Sequence, residues 1–283
     1  MAELDAGLAA PAYVRHQPWT ESTDFAIGLR PIPLDAWFEG GETPEAISER
    51  KRRVWWEHDG LAFAQMEGSF HAQAEAFRII HAVVRRPSDF LEGPPLLAAA
   101  HFVSDDLCLM EKRDGEWTLT AASLCAPTFF SAAEAVGKPL SGLHAPVPGF
   151  GDRLLSRVAR IFDALAPDVI IERRNWTLLN SGELFLPDSA PVRARIPALT
   201  PETAGAELHV RVERQTLRRL PQTGAVLFTI RVWRWPLDVL AEDPAHLAAF
   251  AQAWREASPD FRAYKQLHLY DDLLAAWFAE RGV

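Results

Sequence analysis

Hydrophobic and polar positions follow two periods along this chain, and they contrast most sharply in LHVRVERQTLRRLPQTGAVLFTIRVW, residues 208–233. Pro221-Gln222-Thr223-Gly224 reads as a turn between two strands, with proline fixing φ and glycine supplying φ > 0. Ala225 to Val232 is apolar at nearly every position, so this strand is expected to be buried on both faces. The strand before it carries Arg211, Glu213, Arg214, Gln215, Arg218 and Arg219. So many guanidinium groups beside a buried strand require an anionic partner.

Upstream, residues 1–42 show no clear period and read as an extended arm with little regular structure. Thr43-Pro44-Glu45 starts a helix toward Gly60, with threonine as N-cap and proline at the first helical position. A second helix is expected from about Leu61 to Arg85. Residues 96–125 change to a strand–turn–strand pattern around Asp114-Gly115. Ser131 with Glu134 forms a capping box that opens a short helix, and GLHAPVPGF (142–150) is too rich in proline and glycine for regular structure. From Asp152, Leu154, Leu155, Val158, Ile161, Phe162 and Leu165 share one helical face, and Pro167 ends it. VIIERRNWTLL (169–179) reads as a strand. Two closing helices start at Asp243-Pro244 and Ser258-Pro259.

Across 98–235 the order is two strands, several short helices, then three strands. That order implies an α+β fold: a five-stranded antiparallel sheet with helices inserted after the second strand and a cavity between them. It is the strand–helix order of PAS domains. The organisation expected is an arm with helices over 1–97, a PAS-like core over 98–235 and C-terminal helices over 236–283. All three parts form one continuous unit, since no linker divides the chain.

Composition narrows the partners. The 283 residues are 48% hydrophobic and 24% charged, ordinary for a soluble globular protein. A formal charge of −9 argues against nucleic acid or an anionic membrane. The N-terminus lacks the basic region and apolar run of a signal peptide, and no segment reaches the roughly 18–20 apolar residues of a membrane span. A cytoplasmic protein is expected. Cys108 and Cys125 are the only cysteines, too few for an all-cysteine iron–sulfur centre. Ten tryptophans suit a core and also a pocket for a large flat ligand.

The chain contains no HExxH, Walker loop, GxSxG or EF-hand pattern. His144, flanked by Pro146 and Pro148 just ahead of the 152–165 helix, is the main candidate metal ligand, because prolines fix the direction of a neighbouring imidazole. His101 and His209 are its rivals. Alternation sets Arg214 and Arg218 on the side of Val210 and Val212, with Arg211, Glu213 and Arg219 opposite. One set could be a solvated outer face, and the other must then point inward.

Taken together, RVERQTLRRLPQTGAVLFTIR (211–231), GKPLSGLHAPVPGF (137–150), RRNW (173–176), IGLRPIPLDAW (27–37) and the late YK (264–265) resemble the haem-dependent oxidative N-demethylase alpha-subunit-like family. The resemblance spans about residues 25–270. It implies a PAS-like fold binding haem b and an O2-dependent demethylation of a small secondary amine such as dimethylamine, releasing formaldehyde. Electrons would come from NADPH through FMN and iron–sulfur centres on a separate reductase subunit.

By the same resemblance His144 is the matching axial ligand. Arg214, or Arg211 on the opposite face, would polarise bound O2 or pair with a propionate, and Glu213 would balance a cationic amine. Arg218 and Trp176 complete the residues expected beside the cofactor. Strand alternation forbids these roles from sharing one face unless a bulge intervenes. FFSAAEAVGK and RVWRW depart from the family's pattern, which leaves open a different chemistry or a bulkier amine; the competing readings are a non-catalytic haem-binding gas or redox sensor and a PAS-like scaffold with an empty cavity.

Overall fold

The computed structural model describes residues 16–21, 28–85, 93–143 and 152–283, with the backbone alone at 152–154. At its centre lies one antiparallel sheet of seven strands: β1 (Arg30–Ile32), β2 (Phe63–Gln65), β3 (Asp106–Arg113), β4 (Glu116–Ser123), β5 (Ile170–Leu179), β6 (His209–Arg219) and β7 (Val226–Pro236). They are ordered β1-β5-β6-β7-β3-β4-β2.

The five strands expected from the sequence are β3 to β7, with helices inserted between β4 and β5. Seven strands replace five because β1 and β2, three residues each, extend the two edges. Both lie in segments whose local pattern is uninformative. β1 falls in the stretch read as an arm and pairs with Ile170, Ile171 and Glu172. β2 interrupts the expected 61–85 helix by pairing with Gln65↔Ala121 to Phe63↔Ser123 of β4. Gly68, at φ +82°, then turns the chain into helix Phe70–Val84.

Two more readings are corrected. Residues 95–100 form a helix, PLLAAA, and β3 starts only at Asp106. Proline at the first turn and a run of good helix formers outweigh the apolar continuity that suggested a strand. At the C-terminus helices Pro244–Glu256 and Pro259–Lys265 start where expected, but Gln266 at φ +55° breaks the chain and a third helix, Asp271–Glu280, follows. No helix among the described residues is long and apolar enough to cross a membrane.

The β6–β7 hairpin pairs without a register shift from His209↔Pro236 to Arg219↔Val226. Its turn closes through Leu220 N–H to Ala225 O (2.7 Å), with Gly224 at φ +72°. Buried Glu75 of the 70–84 helix accepts from Gln222 N (2.6 Å), Thr223 N (2.8 Å) and Thr223 Oγ1 (2.6 Å), tying the turn to that helix.

Both faces of the sheet are covered. On the face carrying Arg214, Trp176, Val210, Val212, Trp233 and Trp235 pack against the C-terminal helices through Phe250, Trp254, Phe261 and Trp277. Farther along that face Leu107, Leu109, Ile170 and Leu227 meet Trp37, Ala76, Ile80 and Leu96. On the face carrying Glu213, Cys108, Met110, Leu217 and Val226 meet Leu124, Leu140 and Phe162. Phe228 and Ile230, expected to be buried, are only half-buried and lie on this second face.

Candidate functional site

β6 carries two buried arginines, one from each alternating set, so neither set forms the solvated outer face that the sequence left possible. Arg211 is 2% exposed and Arg214 1%, because each face of the sheet has its own cover. β5, β6 and β7 pair in continuous register, so the alternation is unbroken and the two side chains point to opposite faces.

The donors of Arg214 are committed to the protein. Its Nε meets Glu172 Oε2 at 2.6 Å, Nη1 meets Trp37 O at 2.7 Å and Nη2 meets Ala36 O at 2.5 Å. Glu39 is 3.3 Å from the same Nε, and Arg174 reaches both Glu172 (3.2 Å) and Glu39 (3.7 Å). Beside them Arg231 and Arg50 share Glu42. Burial works to raise the Glu172 carboxyl, but the charges of Arg214 and Arg174 and the hydrogen bonds from Arg214 and Arg30 outweigh it and hold it below the ordinary range. This network pins the 36–42 segment onto the sheet. On the same face Arg218 stacks over the Trp37 ring, 4.6 Å from its centroid. Trp176 sits in the aromatic core, 5.4 Å from Phe250 and 5.5 Å from Phe261. The structure therefore groups Arg214, Arg218 and Trp176 together and separates them from Glu213.

The opposite face gathers residues from three distant stretches. Asn175 Nδ2 (β5) donates to Glu213 Oε2 at 3.1 Å, and Gln215 Nε2 donates to the same oxygen at 3.0 Å. Lys265 Nζ donates to Asn175 Oδ1 at 3.1 Å. Arg173 and Tyr264 complete the electrostatic surroundings of Glu213. Burial works to raise the Glu213 carboxyl, yet Lys265, Arg211 and the two amide donors hold it below its usual value. Burial pushes the Lys265 ammonium down.

Arg211 extends the cluster. It donates to Ala126 O and, at 3.4 Å, to Leu184 O, and burial pushes it down to about 10. Asp106 fixes the loop it binds by accepting from Cys125 N (2.7 Å) and Ala126 N (2.9 Å). The Nε atoms of Arg211 and Arg173 are buried without a hydrogen-bond partner among the described residues. On this face Arg173, Arg211, Arg234 and Lys265 accompany the carboxylates of Glu213 and Asp106, beside the half-buried Phe228 and Ile230. Unpaired cationic donors next to an accessible apolar strip suit a flat apolar ligand with carboxylates at its edge.

His144 lies outside the described residues. Leu143 and Leu155, on either side of that stretch, both pack against the cluster that includes Phe228. The rival histidines are accounted for locally: His101 Nδ1 pairs with Ser48 Oγ at 2.8 Å, and His209 Nδ1 with Glu207 O at 3.1 Å. Among the described residues no group of three His, Cys, Asp or Glu side chains could hold a metal ion. Arg173, Asn175 and Lys265 escaped identification as site residues, although RRNW and YK contain them. Only the tertiary pairing shows that these segments converge on Glu213.

The protein is thus an α+β protein whose antiparallel sheet carries the Arg214 ion-pair network on one face and the Glu213 cluster on the other. The chain is a member of the haem-dependent oxidative N-demethylase, alpha subunit-like family, whose model matches residues 69–275. The match takes in β3 to β7 and every residue of the Glu213 cluster, and a family of alpha subunits implies a partner subunit.

Proposed function

We propose that this chain is the haem-bearing subunit of a cytoplasmic amine N-demethylase, acting on a small secondary amine such as dimethylamine. A partner reductase carrying FMN and iron–sulfur centres would deliver electrons from NADPH. One oxygen atom of O2 leaves in formaldehyde and the other in water, with two electrons and two protons taken up. The observation that carries this reading is the cation-rich, partly open Glu213 face, all of it within the family match.

The residues present fit haem. Phe228 and Ile230 offer an apolar strip for the macrocycle, and Arg211 and Arg173 have buried donors left over for propionates. His144 would hold the iron, and Leu143 and Leu155 on either side of its stretch pack on the same hydrophobic cluster as Phe228. When bound, the haem supplies O2 activation and the oxidation of the methyl carbon. The chain's own part is to exclude water with its apolar cover, keep a guanidinium near the reacting centre through Arg211, and accept the amine N–H on Glu213. Arg214 is read here as a structural clamp, since its donors are already used. The five long strands lie as second, first, fifth, fourth, third, with helices inserted after the second, which supports a PAS-like core. Cys108 and Cys125 are both buried, and burial pushes their thiols up, Cys125 to about 12. This supports placing any iron–sulfur centre on the partner.

The test is an optical spectrum of the purified protein, as isolated and with dithionite and CO, followed by formaldehyde release from amines with a reductase added. A colourless protein that takes up no haemin would overturn the proposal. Haem uptake without turnover would leave the sensor reading.

A further inference from the structure

Helix Pro259–Lys265 lies across the edge of β5. β1 covers that edge only at residues 170–172. Beyond it Phe261 packs on Trp176 on one face of the sheet, while Lys265, one turn later, reaches Asn175 on the other. A lysine delivered around a strand edge in this way contributes little to the aromatic core. Its ammonium instead ends a chain of directed hydrogen bonds, Lys265 to Asn175 Oδ1 and Asn175 Nδ2 to Glu213 Oε2.

We infer that Lys265 is a positioning residue which, acting through Asn175, holds the Glu213 carboxylate charged and aimed on the sheet face where the amine is recognised. Asn175 carries a donor end and an acceptor end, and only Nδ2 can meet the acceptor-only Glu213 carboxylate. A cation that only donates fixes Oδ1 toward itself and turns Nδ2 toward Glu213. The lysine's charge also opposes the cost of keeping a partly buried carboxylate ionised.

The charged and titratable groups facing Glu213 are Arg211 on its own strand, Arg173 on β5, and Tyr264 and Lys265 on the crossing helix. Of the influences that lower its carboxyl, Lys265 is the strongest, and burial is the main opposing one. Arg211 is directed through Nη2 to Ala126 O and Leu184 O, and the hydrogen bond to Asn175 Oδ1 comes from Lys265.

The inference rests on the demethylase reading only for the amine; the state of the carboxylate can be read without haem or substrate. The experiment is an infrared pH titration of the Glu213 carboxylate band, found by subtracting the spectrum of Glu213→Gln. It is run on the full chain and on Lys265→Met, Lys265→Arg and Asn175→Leu, with the fold checked by circular dichroism. In the parent chain the band should persist below pH 4.5, the ordinary value. In Lys265→Met it should vanish at a pH at least one unit higher, with Lys265→Arg restoring most of the shift. Asn175→Leu should show an intermediate change, and it carries the test if Lys265→Met does not fold.

In haem-loaded protein, dimethylamine should bind Lys265→Met up to about tenfold more weakly than the parent chain below the shifted midpoint, and regain affinity as pH rises through it. An unchanged carboxylate titration in both Lys265→Met and Asn175→Leu would overturn the inference. Haem uptake with no amine binding in the parent chain would instead overturn the demethylase reading and leave the titration to decide the role of Lys265.

Discussion

Arg211 and Arg214 stand three positions apart on one strand and send their guanidinium groups to opposite faces of the sheet. Arg214 ends in an ion-pair network with Glu172 and the 36–37 carbonyls, while Arg211 ends beside Glu213 with one buried donor unspent. The two substitutions should therefore fail differently. Arg214→Met leaves the carbonyls of Ala36 and Trp37 without their donors and removes one of three cations from Glu172, which keeps Arg174 and Arg30; it should cost about 2–3 kcal/mol in urea unfolding, with Arg214→Lys unable to reproduce the forked contacts. Arg211→Met should lose less stability and more haemin affinity. Equal losses of stability with no change in haemin affinity would contradict this division.

His144→Ala should abolish or strongly weaken haemin uptake while circular dichroism and the urea midpoint stay near those of the parent chain. Full haem occupancy with an unchanged ferrous spectrum would place the ligand elsewhere.

The pH dependence of stability has a marker in His101. Burial, with Lys51 and Arg52 adding to it, pushes its imidazole from 6.5 down to about 4. The unfolded chain takes up that proton near 6.5 and the folded chain does not, so stability present above pH 6.5 is lost as pH falls toward 4. The loss from this group should be about 1–3 kcal/mol. Unfolding curves of the parent and His101→Gln across this range should converge at the acid end, and parallel curves would show that another group carries the effect.

Glu75 accepts three hydrogen bonds from the β6–β7 turn while almost fully buried. Glu75→Ala should cost about 3 kcal/mol and loosen the turn, seen as faster amide exchange at Gln222 and Thr223. Unchanged exchange at both would mean the hairpin needs no such anchor.

Much of this architecture is legible in the sequence where a local rule governs. Thr43, Ser131 and Ser258 each accept from their helix's backbone as N-caps, and Gly224 takes the positive φ its turn requires. The alternation of Arg211, Glu213 and Arg214 also held, because the β6 pairing has no bulge. β1 and β2 were not legible, since three-residue edge strands are set by the neighbour they pair with. The fate of Arg214 was hidden for a similar reason: its partners, Glu172 and the carbonyls of Ala36 and Trp37, come from residues far away in the chain. Lys265 illustrates the limit best, a single charged residue near the C-terminus whose importance comes only from the strand edge it passes.

That passage has a consequence for how the molecule opens. With Phe261 locked into the aromatic core and Lys265 bonded to Asn175, the end of the chain cannot peel away without disturbing both sides of β5. Fraying at this corner and collapse of the amine-facing surface become a single cooperative event, so slow amide exchange in β5 should track an intact binding surface.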